Sequence, residues 1–219
     1  MFRSVFSIVC SVFLCVLAWG TEPKRVALVF DDGPTPEQAV KLLAILEEAG
    51  VRVSFAQVAN TMQQHVSTTL ATRARGHEIV NHSFLHRDVE SLSDAELEKE
   101  IGGAQRMMTE VLGEGPRWYW PPYLKITDRV REATAAAGVT LYEPSSIVVS
   151  KDYDNSVSAD EIERLATKGV TDGAVILFHE WREETVERLP SILKTLKEQG
   201  CVFMTFSELA DSMLTEAEQ

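Results

Sequence analysis

Cysteine is scarce. The 219 residues hold three, at Cys10, Cys15 and Cys201, too few for a disulfide framework. Basic residues are outnumbered, 21 Lys and Arg against 33 Asp and Glu, which leaves a formal charge of −12. That balance lacks the positive footprint of a nucleic-acid binder and offers little to an anionic lipid surface. Glycine (12) and proline (8) are too few for a collagen-like or low-complexity chain. What is present, 45% apolar and 25% charged residues, is the composition of a globular domain.

One long apolar run exists, at the N-terminus. Arg3 is the only charge before Glu22, and residues 4–19 are almost wholly apolar. That length is short for a membrane span and suits the core of a signal peptide. Ala18-Trp19-Gly20 has the small-x-small form of a cleavage site. The expectation is a signal peptide over 1–20, a single domain over 21–219, and a secreted or periplasmic product with no stable membrane association after cleavage. An uncleaved anchor, or a lipid on Cys15, is the alternative. Cleavage leaves Cys201 alone, read as a small buried apolar residue.

The remainder alternates strands and helices. Val26-Ala27-Leu28-Val29-Phe30 is continuous and apolar, as in a strand buried on both faces. Thr35-Pro36-Glu37-Gln38 predicts a helix start with a capping box, followed by Ala39, Leu42, Leu43 and Leu46 on one face and Gly50 as a stop. The cycle recurs: a strand over 51–58, a helix to about Arg75, a strand over 77–80, and a capping box Ser93–Glu96. Leu97, Ile101, Ala104 and Met108 then form a helical stripe, while residues 96–100, rich in glutamate, read as a solvated face. Further strands fall near 117–120, 139–149, 174–178 and 201–204, with helices over 127–137, after Ser158, over 186–196 and at the end. About seven βα units without a break predict an α/β fold with a parallel sheet, open or closed into a barrel. Chemistry in such folds gathers at the carboxyl ends of the strands.

Polar residues sit at those ends. Asp31 and Asp32 follow the first buried strand, although Asp-Asp-Gly-Pro is also an ordinary turn sequence. His82 and His86 follow the third strand; at i and i+4 on one helical turn they could share a metal ion, or be unrelated. His179 follows the apolar strand ending at Phe178. An aspartate and two histidines would leave open coordination positions, as in catalytic zinc sites. A base (Asp31) and an acid (His179) would remain.

These segments resemble the motifs of the polysaccharide deacetylases, carbohydrate esterase family 4. Phe30-Asp31-Asp32-Gly33-Pro34 is similar to the first motif, and residues 76–86, ending in His82-Ser83-Phe84-Leu85-His86, to the second. Pro121-Pro122-Tyr123, Asp152-Tyr153 and Leu177-Phe178-His179 resemble the third, fourth and fifth, in the family's order. The resemblance implies a distorted (β/α)7 barrel. It implies that Asp32, His82 and His86 hold one divalent ion, zinc first, with Co2+, Mn2+ or Ni2+ as alternatives. Asp31 would be the general base, His179 the acid, and Asp152 the carboxylate orienting His179. The Tyr123 backbone N–H would serve a developing oxyanion, and Leu177 and Tyr153 would line a pocket for the acetyl methyl. Trp181, close behind His179, is a candidate to line the groove for a sugar.

The third motif departs from the family. Its opening arginine, which pairs with the base, is here Trp120, and a glycine common after the tyrosine is Leu124. Asp31 is therefore expected to be less well oriented unless Arg117, Lys125 or Arg182 substitutes. The implied activity is removal of acetyl groups from N-acetylated sugars of peptidoglycan or a chitin-like polymer. The alternatives are a non-catalytic carbohydrate-binding relative and an O-deacetylase of xylan-type esters. The partner is a polysaccharide or oligosaccharide in each case, and no nucleic acid.

Overall fold

Strand β1 (Lys24–Gly33) is apolar on both faces, and the fold buries both. Val26, Leu28 and Phe30 pack outward under helices, while Ala27 and Val29 face the inside of a curled sheet. The computed structural model describes residues 22–217. The expected signal peptide, with Cys10 and Cys15, lies outside the described residues. Among the described residues no helix is long and apolar enough to cross a membrane.

The order continues α1 (Pro36–Ala49), β2 (Ser54–Gln57), α2 (Ala59–Gln64), α3 (Val66–Ala74), β3 (Glu78–Asn81) and α4 (Asp94–Glu98). A π-helical turn (Lys99–Gly103) leads into α5 (Ala104–Leu112), then β4 (Trp118–Tyr119) and α6 (Asp128–Ala136). Next come β5 (Thr140–Leu141), β6 (Ser146–Val149), α7 (Ala159–Thr167), β7 (Ala174–His179), α8 (Glu183–Glu198), β8 (Cys201–Met204) and α9 (Phe206–Ala217). The eight strands form one sheet in the order β5-β4-β3-β2-β1-β7-β6, with β8 beside the first half of β1. Every pairing is parallel. The sheet curls with helices outside, which is the expected distorted (β/α) barrel. Its edges are β5 and β6, consecutive in the chain but at opposite ends of the strand order.

The core is layered accordingly. Outside, Phe30 stacks between Phe55 and Phe178, at ring-centre distances of 5.5 and 5.4 Å. Inside, Val29, Ala56, Val80, Trp118, Trp120, Val175 and Leu177 fill the curl, closed by Phe206 and Leu209 of α9. Cys201 is buried in the outer cluster, as expected.

Several local expectations are corrected. Thr35 precedes α1, but its side chain makes no cap bond; its backbone N–H donates to Glu180 instead (2.7 Å). Proline at the first helical position needs no donor, so α1 starts there without the box. The single helix expected before Arg75 breaks at His65 into α2 and α3. The Ser93–Glu96 capping box forms as expected. Leu97, Ile101, Ala104 and Met108 are buried, but so is Glu100, which was expected in solvent.

Candidate metal centre and active site

The register of β1 with β7 pairs Asp31 with His179, and the Glu180 N–H donates to the Asp31 carbonyl (2.9 Å). Register partners in a parallel sheet point to the same face, here the inside of the curl. Asp31 is buried, with its Oδ2 accepting from the Trp120 indole N–H (2.9 Å) and its Oδ1 without a partner. Burial pushes its carboxyl up to about 6, against the pull of the His82 and His179 charges.

Asp32 turns the chain with a φ of 68°. Its Oδ1 lies 3.5 Å from His82 Nε2 and 3.2 Å from His86 Nε2, and Oδ2 accepts from the Trp181 indole (3.1 Å). Burial opposes its charge. The close approach of His82, then the charges of His86 and His179, outweigh it and hold Asp32 well below the usual carboxylate range.

The expectation that His82 and His86 share a helical turn is corrected. They occupy a loop after β3, in which Ser83 and His86 take φ values of 68° and 57°. The loop still brings the two rings together, 4.9 Å between centres and tilted by 56°. His82 Nδ1 lies 2.6 Å from the Trp120 carbonyl. A carbonyl only accepts, so Nδ1 carries the hydrogen and Nε2 presents its lone pair.

One atom each from Asp32, His82 and His86 lie within 4.8 Å of one another. Asp32 Oδ1 is buried and accepts no hydrogen bond. A carboxylate oxygen and two imidazole nitrogens converging without protons between them fit a divalent cation, and suit zinc.

Across the site, His179 Nδ1 meets Asp152 Oδ1 (2.7 Å), and Asp152 Oδ2 accepts from the His179 backbone and from Thr185 Oγ1 (2.8 and 2.7 Å). Burial works to discharge His179, but the hydrogen bond and charge of Asp152 prevail and raise it above the ordinary imidazole value. Tyr153 and Trp181 flank this ring at 5.9 and 5.7 Å, and Tyr123 packs its edge on His86 at 4.8 Å. Tyr123 and Tyr153 are exposed, whereas Leu177 belongs to the inner cluster beneath His179.

The substitutes proposed for the missing arginine are engaged elsewhere. Arg117 pairs with Asp211 (2.8 Å), Lys125 with Glu90, and Arg182 with Asn155, Val157 and Glu184. Trp120 itself takes the place, as a neutral donor. It is fully buried against Phe206 and Tyr142. Among the described residues, every non-glycine with positive φ — Asp32, Ser83, His86, Tyr123, Leu124 and Lys151 — is at or next to a motif position. Such backbone is costly and clusters at functional sites.

Residues 19–142 match the family described as polysaccharide deacetylase. A peptidoglycan-N-acetylglucosamine deacetylase of Bacillus cereus is 30% identical over 85% of this chain and 88% of its own length. A bifunctional xylanase/deacetylase of Pseudobutyrivibrio xylanivorans is 25% identical over 85% of this chain, which spans only 30% of that longer protein. A family 4 carbohydrate esterase from Streptomyces lividans, solved with acetate, superposes with a TM-score of 0.75 at 29% identity, covering 82% of this chain and 91% of that one.

His82→Ala removes the central nitrogen of the cluster. Zinc titrated calorimetrically into the metal-free variant should show no stoichiometric binding, against one ion per wild-type chain; full occupancy in the variant would exclude this site.

Proposed function

The chain belongs to the polysaccharide deacetylase family, and on that premise we propose that it is a secreted, metal-dependent hydrolase. It removes acetyl groups from the N-acetylated sugars of an extracellular polysaccharide, peptidoglycan or a chitin-like polymer. The observation that carries this reading is the pairing of Asp31 with His179 beside the Asp32, His82 and His86 cluster. The B. cereus relative supports peptidoglycan as the polymer. The apolar N-terminal segment supports export.

Asp32, His82 and His86 would hold a divalent ion, whose charge would acidify a water and polarise the acetyl carbonyl. Asp31 accepts the water proton. The Trp120 N–H engages Oδ2 and leaves Oδ1, which has no other partner, free for that proton. The water oxygen adds to the acetyl carbon. The Tyr123 backbone N–H is the donor assigned to the developing oxyanion. His179 protonates the departing nitrogen as the carbon–nitrogen bond breaks, giving acetate and a free amine. Asp152 holds His179 Nδ1–H, so that Nε2 delivers the proton. Tyr153 and Trp181 offer faces for sugar rings on the acid side, with Leu177 below.

An acetyl ester would meet the same groups, so N- and O-acetylated polymers are tested together. The zinc-loaded protein should release acetate from peptidoglycan or chitin oligomers faster than from acetylated xylan. His179→Ala should lower the rate by about 10²–10⁴-fold. Faster release from xylan would reassign the substrate, and no release from any polymer with zinc bound would leave a carbohydrate-binding protein.

The pH profile follows from the two shifts. Asp31 must be ionised and His179 protonated, so the profile is a bell: burial raises the Asp31 limb and a bound cation draws it back below about 6, while the alkaline limb lies above the ordinary imidazole value. Asp152 is what raises His179. In Asp152→Asn the alkaline limb should therefore move to lower pH, as read from kcat against pH; an unmoved limb would show that another group sets it.

A further inference from the structure

Glu100 breaks the pattern of its own helix. It lies on the π-helical turn between α4 and α5 and is only 2% exposed. A carboxyl buried among apolar neighbours is unfavourable unless its hydrogen bonds are made. Departures of this kind from local sequence rules are expected where function requires them. Glu100 Oε2 accepts from the backbone N–H of Leu85 (2.8 Å), a residue of the loop that links His82 to His86.

The bonds of that loop single Glu100 out. The Ser83 and Phe84 carbonyls accept from the first N–H groups of α2, Ala59 and Asn60 (2.9 and 3.0 Å). The Ser83 N–H donates to Asn81 of the preceding strand (3.0 Å), and the His86 N–H to Ser83 of the loop itself (2.9 Å). Both are local. The Leu85 bond ties the loop to a different helix, one residue before a metal ligand. Asn81 is fastened to the same turn through the Ile101 carbonyl (3.3 Å) and to α5 through Gln105 (3.0 Å). Positive-φ residues such as Ser83 and His86 persist only where several contacts together fix them, and the Leu85 bond adds to the two α2 bonds one that reaches the turn before α5.

We propose that Glu100 is a positioning residue of the metal centre: its carboxyl oxygen, by accepting the Leu85 N–H, holds the His82–His86 loop in its ligating shape before the ion arrives. This rests on Asp32, His82 and His86 being the metal site. The acceptor matters here, and the charge does not.

Zinc is titrated calorimetrically into the metal-free full chain, wild type, Glu100→Gln and Glu100→Met. Gln keeps the acceptor; Met keeps the bulk and loses it. Removing a partner that orients metal ligands typically weakens affinity by about 10–100-fold. Glu100→Met should show that loss with the melting temperature of a folded protein, and Glu100→Gln should stay within about threefold of wild type. Wild-type affinity in Glu100→Met, or an equal loss in both variants, would overturn the proposal. If Glu100→Met does not fold, amide exchange in the metal-free wild type decides. The Leu85 N–H should be protected, and exchange at the rate of an open loop would refute the anchor. A wild type that binds no zinc would instead remove the metal-site reading on which the proposal stands.

Discussion

Asp31 faces His179 because β1 and β7 pair in parallel in one register, and the other groups of the site are arranged around that pair. The register is held well below the site, by the pairs Val29–Leu177 inside the curl and Phe30–Phe178 outside it. A slip of one residue would send Asp31 out under the helices and bring Phe30 into the site. The chemistry is therefore set by apolar packing, and the Phe55–Phe30–Phe178 stack is as much part of the site as the carboxylates. Asp32 follows as the first residue beyond that register, turned by its positive φ.

The second constraint is electrostatic. Two carboxylates stand side by side, Asp31 buried and Asp32 half-buried, each with a buried oxygen that accepts no hydrogen bond. Unsatisfied buried oxygens cost stability, and a folded chain keeps them where a ligand or a proton is to be received. Trp120 links the two halves. Its indole holds Asp31 while its carbonyl fixes the tautomer of His82. As a neutral donor it orients Asp31, the proposed base, without forcing it to ionise. A carboxyl near 6 then follows from burial. An arginine in its place would put a guanidinium against Phe206 and Tyr142, so restoring the family residue is not a simple gain.

Much of this was legible in the sequence, for reasons that can be named. The continuous apolar runs of β1 and β7 read as strands buried on both faces, which put the polar residues after them at strand ends. The motif residues Asp31, Asp32, His82, His86, Asp152 and His179 do come together. What failed was local geometry. The i, i+4 spacing of His82 and His86 looked helical, yet a loop with two left-handed residues achieves the same convergence. Periodicity carries no signal for that. Glu100 was hidden among glutamates that are solvated, and only the π-helical turn and the Leu85 amide distinguish it. Trp120 read as the loss of a cation, because an indole N–H can be recognised as a replacement only when its partner is seen.

The account's central claim is that one site, bounded by Asp31, His179 and the Asp32, His82 and His86 cluster, receives both ion and acetyl group. A crystal structure of the protein soaked with zinc and acetate, with anomalous scattering recorded at the zinc edge, tests it most directly. The account predicts a single strong anomalous peak bonded to Asp32, His82 and His86, with acetate beside it between Asp31 and His179. Zinc bound by other residues, or acetate lodged away from that pair, would contradict it.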